Sequence, residues 1–227
     1  SGHSASGIHV NARGETSVKG LYAAGDCASV PHNYMLGAFV YGKHCGLNAA
    51  AYCAEVGHAA MNDDASAAES ARILAPLSRS DGPTPYQIEY KTRRLVNDYL
   101  QPPKITRKYQ IGLRRFAEIR EDMSDMTAGN PHELMRAMEA SSILDCAEMA
   151  AHASLFRTES RWGLYHNRVD HPERDDANWF CHSLLSRGAT GEMAMRKKAI
   201  EPYIVPVDDD ERTAYQRLRV AKTAEAA

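Results

Sequence analysis

"GLYAAGDCASVPHNYMLGAFVYG", Gly20–Gly42, is the stretch on which the reading of this chain turns. Its first apolar run, Leu21-Tyr22-Ala23, has the length of a short buried strand and stops at Gly25-Asp26, a turn signal. From about Leu36 to Val56 the pattern changes to a helix rich in Gly and Ala, with Phe39, Val40, Leu47 and Tyr52 as larger apolar residues. Small residues let such a helix pack closely against a sheet or a ligand. Before it, Gly7 to Asp26 alternates short apolar stretches with polar residues and reads as β-structure, with a turn at Asn11-Ala12-Arg13-Gly14.

After this opening the chain becomes helical. "GHAAMNDDASAAES" (Gly57 to Ser70) reads as a linker, a short helix follows over Ser66 to Leu77, and "SRSDGPTP" is a turn-rich break. Ile88 to Gln101 and Ile105 to Met123 follow as helices, the second with Tyr109, Leu113, Phe116 and Ile119 on one face. Its opposite face is basic: Arg107, Lys108, Arg114, Arg115 and Arg120. Asn130 is placed as N-cap and Pro131 as first residue of a third helix, running toward Phe156. Leu134, Met138, Leu144, Ala147, Ala151 and Leu155 are expected on its core side. Three helices on short connections suggest an antiparallel bundle. Beyond Glu159, "ESRWGLYHNRVDHPERDDANWFCHS" mixes charges and aromatics without a period, and Ala199 to Val207 reads as a strand interrupted by Pro.

Composition narrows the function. The 227 residues suffice for one large or two small domains, and 44% hydrophobic with 25% charged residues is ordinary for a globular protein. A formal charge of −2 argues against general attraction to nucleic acid or an anionic membrane. No apolar run approaches a membrane span and no signal-peptide pattern opens the chain, so a cytoplasmic setting is expected. Five widely spaced cysteines (Cys27, Cys45, Cys53, Cys146, Cys181) give no disulfide framework and read as buried free thiols. The scattered histidines lack metal-site spacing.

A carboxylate at the end of a parallel strand sits at the crevice where α/β proteins bind nucleotides, and Asp26 there could accept bonds from sugar or ribitol hydroxyls. A helix start at Gly37-Ala38-Phe39-Val40 would offer free N–H groups and a positive dipole end. The whole stretch "VKGLYAAGDCAS…GAFVYGKHCGLNAA" resembles the second flavin-contacting segment of the fumarate reductase/succinate dehydrogenase flavoprotein superfamily. "RTESRWGLYHNRVDHPERDDANWF" (Arg157 to Phe180) is similar to the C-terminal domain of the same flavoproteins.

The resemblance implies a mainly α fold with a partial α/β segment: the end of a FAD-binding Rossmann-like domain (1–62), a linker with a short helix (63–83), a helical bundle (84–160) and an irregular charged, aromatic tail (161–227). It implies FAD as cofactor, with Asp26 at the ribitol, the backbone of Ala38, Phe39 and Val40 facing the flavin's O2 and N1, and Gly25 and Gly37 as further cofactor-binding residues. No G-x-G-x-x-G is present, so the chain reads as the C-terminal fragment of a longer oxidoreductase, inactive alone. The upstream remainder, a small-molecule substrate and a ferredoxin-like iron–sulfur subunit are its expected partners. A non-catalytic assembly module is the alternative.

Within the superfamily, "VPHNYMLGAFVYGK" resembles the adenylylsulfate reductase α-subunit branch, and Trp162 stands where the fumarate branch usually has Gly. No Arg lies between Asp26 and Lys43 to clamp a dicarboxylate, which counts against fumarate or succinate. His32 is then the candidate catalytic residue, as hydrogen-bond donor or proton relay. The Arg161–Trp179 charges are expected to form an ion-pair network docking the tail on the flavin domain.

Overall fold

The computed structural model describes residues 6–30, 34–58, 60–161 and 163–200. Two compact units are formed, one from Ser1–Ile88 with Asp122–Ser141, the other from Glu89–Glu121 with Ser142–Ala227.

In the first unit the expected β-structure over Gly7 to Asp26 reduces to two isolated bridges, Ile8 with Ala28 and Glu15 with Tyr22. A strand needs a neighbour that pairs along its length, and the apolar run at 21–23 meets only short loop segments, through Thr16 N–H to Leu21 O (3.0 Å) and Ala23 N–H to Gly14 O (3.1 Å). The turn at 11–14 does form. Asn11 Oδ1 accepts the N–H groups of Arg13 (2.9 Å) and Glu15 (3.0 Å), and Gly14 takes a positive φ of 77°.

Helix α1 (Tyr34–Val56) follows this loop. Helix α2 (Asp63–Leu74) starts three residues before the expected Ser66, because the Asn62 side chain caps Ala65 N–H at 3.0 Å. A 3₁₀ turn, Ala75–Ser78, ends it. Residues 76–83 then pair with the 126–128 segment, through Ala128 N–H to Pro76 O (2.8 Å), Thr127 N–H to Pro83 O (3.0 Å) and Arg79 Nη1 to Met126 O (2.9 Å).

Helices α3 (Pro85–Leu95, continued by a π turn Val96–Leu100), α4 (Thr106–Ser124) and α5 (Pro131–Phe156) realise the three expected helices. Asn130 caps α5 as its sequence requires, accepting Glu133 N–H at 3.0 Å, while Glu133 reaches back to Gly129 N–H at 2.7 Å. In the second unit, the α4 stripe Tyr109, Gly112, Phe116 and Ile119 is buried. A Cβ at Gly112 would stand 3.2 Å from Tyr99 and Leu100, so the missing side chain lets the π turn approach α4. Tyr109 donates to Leu100 O (3.3 Å), and burial pushes its phenol up to about 12, which keeps it protonated. Helices α4 and α5 run antiparallel there: Arg120 bonds Asp145 and Glu148 near one end, and Lys104 reaches Ser154 (3.3 Å) near the other.

The buried face of α5 is Ala137, Ala140, Leu144, Ala147 and Ala151. Met138, expected on that side, is 46% exposed. Alanines bring helices closer than methionines permit, so the larger side chains are turned outward. The cysteines are free, but only Cys45 is buried, while Cys27, Cys53 and Cys146 are exposed.

The tail is less irregular than its sequence suggests. A helical turn α6 (Asp176–Trp179) leads into an antiparallel hairpin, β1 (Cys181–Arg187) with β2 (Met193–Ala199), in the register Cys181–Ala199 to Arg187–Met193. Its loop closes through Gly188 N–H to Glu192 O (2.8 Å), with Gly191 at φ 92°. Of the strand expected over 199–207, only Ala199 belongs to β2, and residues from 201 onward lie outside the described part.

Candidate functional site

The Gly25–Asp26 turn is a single 3₁₀ turn, Gly25–Cys27, closed by Ala28 N–H to Gly25 O at 3.0 Å. Gly25 has φ 72°, and a Cβ there would stand 3.3 Å from Ala38 Cβ. The glycine therefore does two things: it bends the chain where other residues are strained, and it lets the turn sit against α1. Asp26, the next residue, is exposed.

Two further glycines extend this seat along α1. A Cβ on Gly14 would overlap the Cys45 thiol, and one on Gly20 (φ 82°) would lie 3.2 Å from the Tyr52 ring. Ala38, Cys45 and Tyr52 are seven residues apart, two turns of helix, so they form one face of α1 and the loop lies along it. Asn48 Nδ2 to Arg13 O (2.9 Å) and Tyr22 Oη to Asn48 O (3.4 Å) reinforce the seat. Cys45 donates to Ala23 O at 3.4 Å, and burial raises its thiol pKa above the ordinary value.

Among the sequence-nominated residues, the structure thus brings Gly25 and Asp26 against the start of α1 at Ala38. Phe39 (70% exposed) and Val40 (44% exposed) lie on other sides of the same helix, and Gly37 is buried. The helix begins at Tyr34, earlier than expected. Tyr34-Met35-Leu36 is helix-compatible and Gly37 does not interrupt it. The amide hydrogens of Ala38, Phe39 and Val40 consequently point back to carbonyls four residues earlier and are not free groups. His32 lies outside the described residues.

The charged cluster of the tail is an internal network of the second unit. Glu159, fully buried, accepts from Arg161 (2.6 and 2.9 Å), from Asp175 N–H (2.9 Å) and from Arg157. Burial pushes its carboxyl upward, but these donors outweigh it and hold the pKa below the ordinary value. Arg161 continues to Asp176 (2.7 Å), which also takes Arg174. Arg157 bonds Trp179 O (2.9 Å) and Cys181 O (2.7 Å) and lies over the Trp179 ring.

Arg168, also fully buried, reaches Ser154 O (2.7 Å) and Arg157 O (2.9 Å) at the end of α5, Thr106 Oγ1 (2.7 Å) at the start of α4, and Asp170 twice (2.9 and 3.0 Å). The network therefore docks the tail on the bundle helices, where a flavin-domain contact was expected. Buried charges need near partners, and α4 and α5 supply them. The basic face of α4 is also partly neutralised: Arg115 pairs with Glu118 (2.8 Å), and Arg120 with Asp145 (2.7 Å) and Glu148. Among the described residues no group of His, Cys, Asp and Glu side chains could hold a metal ion, and no helix is long and apolar enough to cross a membrane.

Comparison with known proteins gives concordant results. The curated relatives include the succinate dehydrogenase flavoprotein subunit of Coxiella burnetii, 27% identical over 203 residues, covering 82% of this chain and 34% of that protein. Among solved structures, an adenosine-5-phosphosulfate reductase in complex with sulfite superposes with a TM-score of 0.80 at 26% identity, covering 86% of this chain and 34% of that one. The E. coli quinol fumarate reductase shares the fold at a TM-score of 0.79 and 24% identity, covering 88% and 37%. The chain thus spans about a third of the length of the proteins it matches. A family model described as fumarate reductase flavoprotein C-term matches residues 91–214, more than half of the sequence. The chain belongs to the fumarate reductase flavoprotein C-terminal family.

Proposed function

We propose that this chain is the C-terminal part of a FAD-dependent oxidoreductase flavoprotein subunit, and that the Gly25–Asp26 turn and the first turns of α1 face the cofactor. The observation that carries the reading is the exposed Asp26, held against α1 by Gly25 in a chain of this family. FAD bound there would supply two-electron redox chemistry. The residues present fit such a ligand: a carboxylate for the ribitol hydroxyls, and uncovered Phe39 and Val40 as apolar surface for a ring system. With the amides of Ala38–Val40 committed to the helix, α1 contributes its dipole more than direct bonds. His32 is proposed as the group that positions or relays a proton at the flavin edge.

The absence of Arg between Asp26 and Lys43 supports a substrate other than fumarate or succinate, on the adenylylsulfate reductase side of the family. Arg107, Lys108 and Arg114 remain as a small basic surface toward an acidic iron–sulfur partner.

The test is Asp26→Ala in the full-length protein. Loss of a carboxylate that accepts hydroxyl bonds costs about 1.5–3 kcal/mol, a roughly ten- to hundredfold weaker hold on FAD. Flavin absorbance per polypeptide after extended dialysis reads the effect, and unchanged flavin content removes Asp26 from the ribitol.

A further inference from the structure

Two of the bonds that hold the Gly25–Asp26 turn come from thiols. Ala24 is extended (φ −146°, ψ 158°), so the carbonyls of Ala23 and Ala24 point to opposite sides of the chain. From the side of α1, Cys45 Sγ donates to Ala23 O at 3.4 Å. From within the turn, Cys27 Sγ donates to Ala24 O at 3.1 Å. Beyond them Gly25 O takes Ala28 N–H (3.0 Å) and Cys27 O takes Ile8 N–H (2.8 Å). The carbonyls of residues 23, 24, 25 and 27 are therefore all fastened around Asp26. Of these bonds, the two thiol bonds come from side chains.

A carboxylate that binds hydroxyls gains from being held before the ligand arrives, because the cost of ordering the turn then falls on folding and not on binding. Packing alone accounts for Cys45, a small buried residue, but not for Cys27, which is exposed and still turns its thiol back onto Ala24 O. We propose that Cys27 and Cys45 are positioning residues for the cofactor: their thiol hydrogens fix Ala24 O and Ala23 O, and so present the Asp26 carboxylate to the ribitol hydroxyls. This role rests on the reading of Asp26 as the carboxylate that faces FAD. Burial raises the Cys45 thiol pKa, which keeps its hydrogen on sulfur at neutral pH. Neither thiol needs to touch the ligand, since each acts through Asp26.

The test is equilibrium titration of the deflavinated full-length protein with FAD, read by flavin fluorescence. A neutral hydrogen bond contributes modestly, so Cys27→Ala and Cys45→Ala should each bind FAD roughly three- to tenfold more weakly than wild type. Cys27→Ser and Cys45→Ser keep a donor and should recover most of that loss. In an Asp26→Ala background the two Ala substitutions should weaken binding further by less than about twofold, because nothing remains to be positioned. Cys27→Ala lies at an exposed position and carries the test even where Cys45→Ala disturbs the core. If Asp26→Ala weakens binding while both cysteine variants bind like wild type, the positioning role falls and the ribitol assignment stands. If Asp26→Ala itself binds like wild type, the ribitol assignment falls and the positioning role with it. An equal loss with and without the Asp26 carboxylate, or no recovery by Ser, would show that the thiols act through packing, which also overturns the proposal.

Discussion

A guanidinium carries five N–H donors, and Arg168 directs all five to oxygens of the second unit. Two of those oxygens are the carbonyls of Ser154, in the last turn of α5, and of Arg157, the residue just after it, so the side chain works as a buried C-cap as well as an ion-pair partner of Asp170. The bonds from Arg168 and Thr106 hold the Asp170 carboxyl well below the usual carboxylate range. His166 sits beside these cations with Nε2 on Arg157 O at 3.2 Å. Burial, then the charge of Lys104, hold its imidazole down at about 4, and the bond to Arg157 O only partly offsets them. The sign follows. An unfolded His near its ordinary 6.5 takes up a proton before the folded one, so the His166 contribution is intact above pH 6.5 and is lost as pH falls toward 4. Asp170 and Glu159, depressed from lower starting values, act in the same direction but only in stronger acid. His166→Gln, which can still donate to Arg157 O, should therefore flatten the melting temperature between pH 6.5 and 4 and leave the acid limb unchanged. A wild-type melting temperature constant over that interval would contradict this assignment.

At the scale of elements, α1 is positioned by three glycines that each leave room for one residue of the same helix face. Gly14→Ala tests this seat. A left-handed φ costs a non-glycine residue about 1–2 kcal/mol, and the new methyl group would also overlap the Cys45 thiol. Replacing Cys45 by Ala should remove the second cost and leave the first, so urea melts of both single variants and the double variant should show a coupling of about 1 kcal/mol. Additive effects would mean that the loop does not lie on α1 as described. Much of this level was legible in sequence. The α4 stripe, the Asn130 cap and the 11–14 turn follow from local pattern and chemistry, which act within a few residues. The α5 face was misassigned at Met138 because hydrophobicity ranks Met above Ala, whereas close helix packing selects Ala. The hairpin 181–199 was missed because "CHSLLSRGATGEMAMRKKA" shows little alternation, and one of its faces is paired with cations: Arg157 bonds Ser183, and Lys197 lies over Trp179. The glycine seat was invisible because its pairs are 13 to 32 residues apart in sequence.

For the whole molecule, what the sequence offered was the order of two motifs and one missing residue. The motifs led to the family, and the charges between Arg157 and Asp176 turned out to be structural, which only a three-dimensional partner list could reveal. The missing residue still bears on chemistry. A dicarboxylate beside a flavin must be gripped at the carboxylate away from hydride transfer, and a planar guanidinium does this with two parallel bonds. Lys43, the first Lys or Arg after Asp26, offers a point charge without that geometry. Loss of bidentate recognition at a desolvated site removes on the order of 2–4 kcal/mol of transition-state stabilisation, a rate loss of roughly 30- to 1000-fold. In the full-length protein, anaerobically reduced flavin mixed with excess fumarate in a stopped-flow spectrometer should therefore reoxidise slowly. Turnover would have to fall well below the median enzyme rate of about 10 per second. Reoxidation at or above that rate would mean that a carboxylate clamp is supplied from outside the Asp26–Lys43 segment, and the reading of the site as one without a carboxylate grip would be withdrawn.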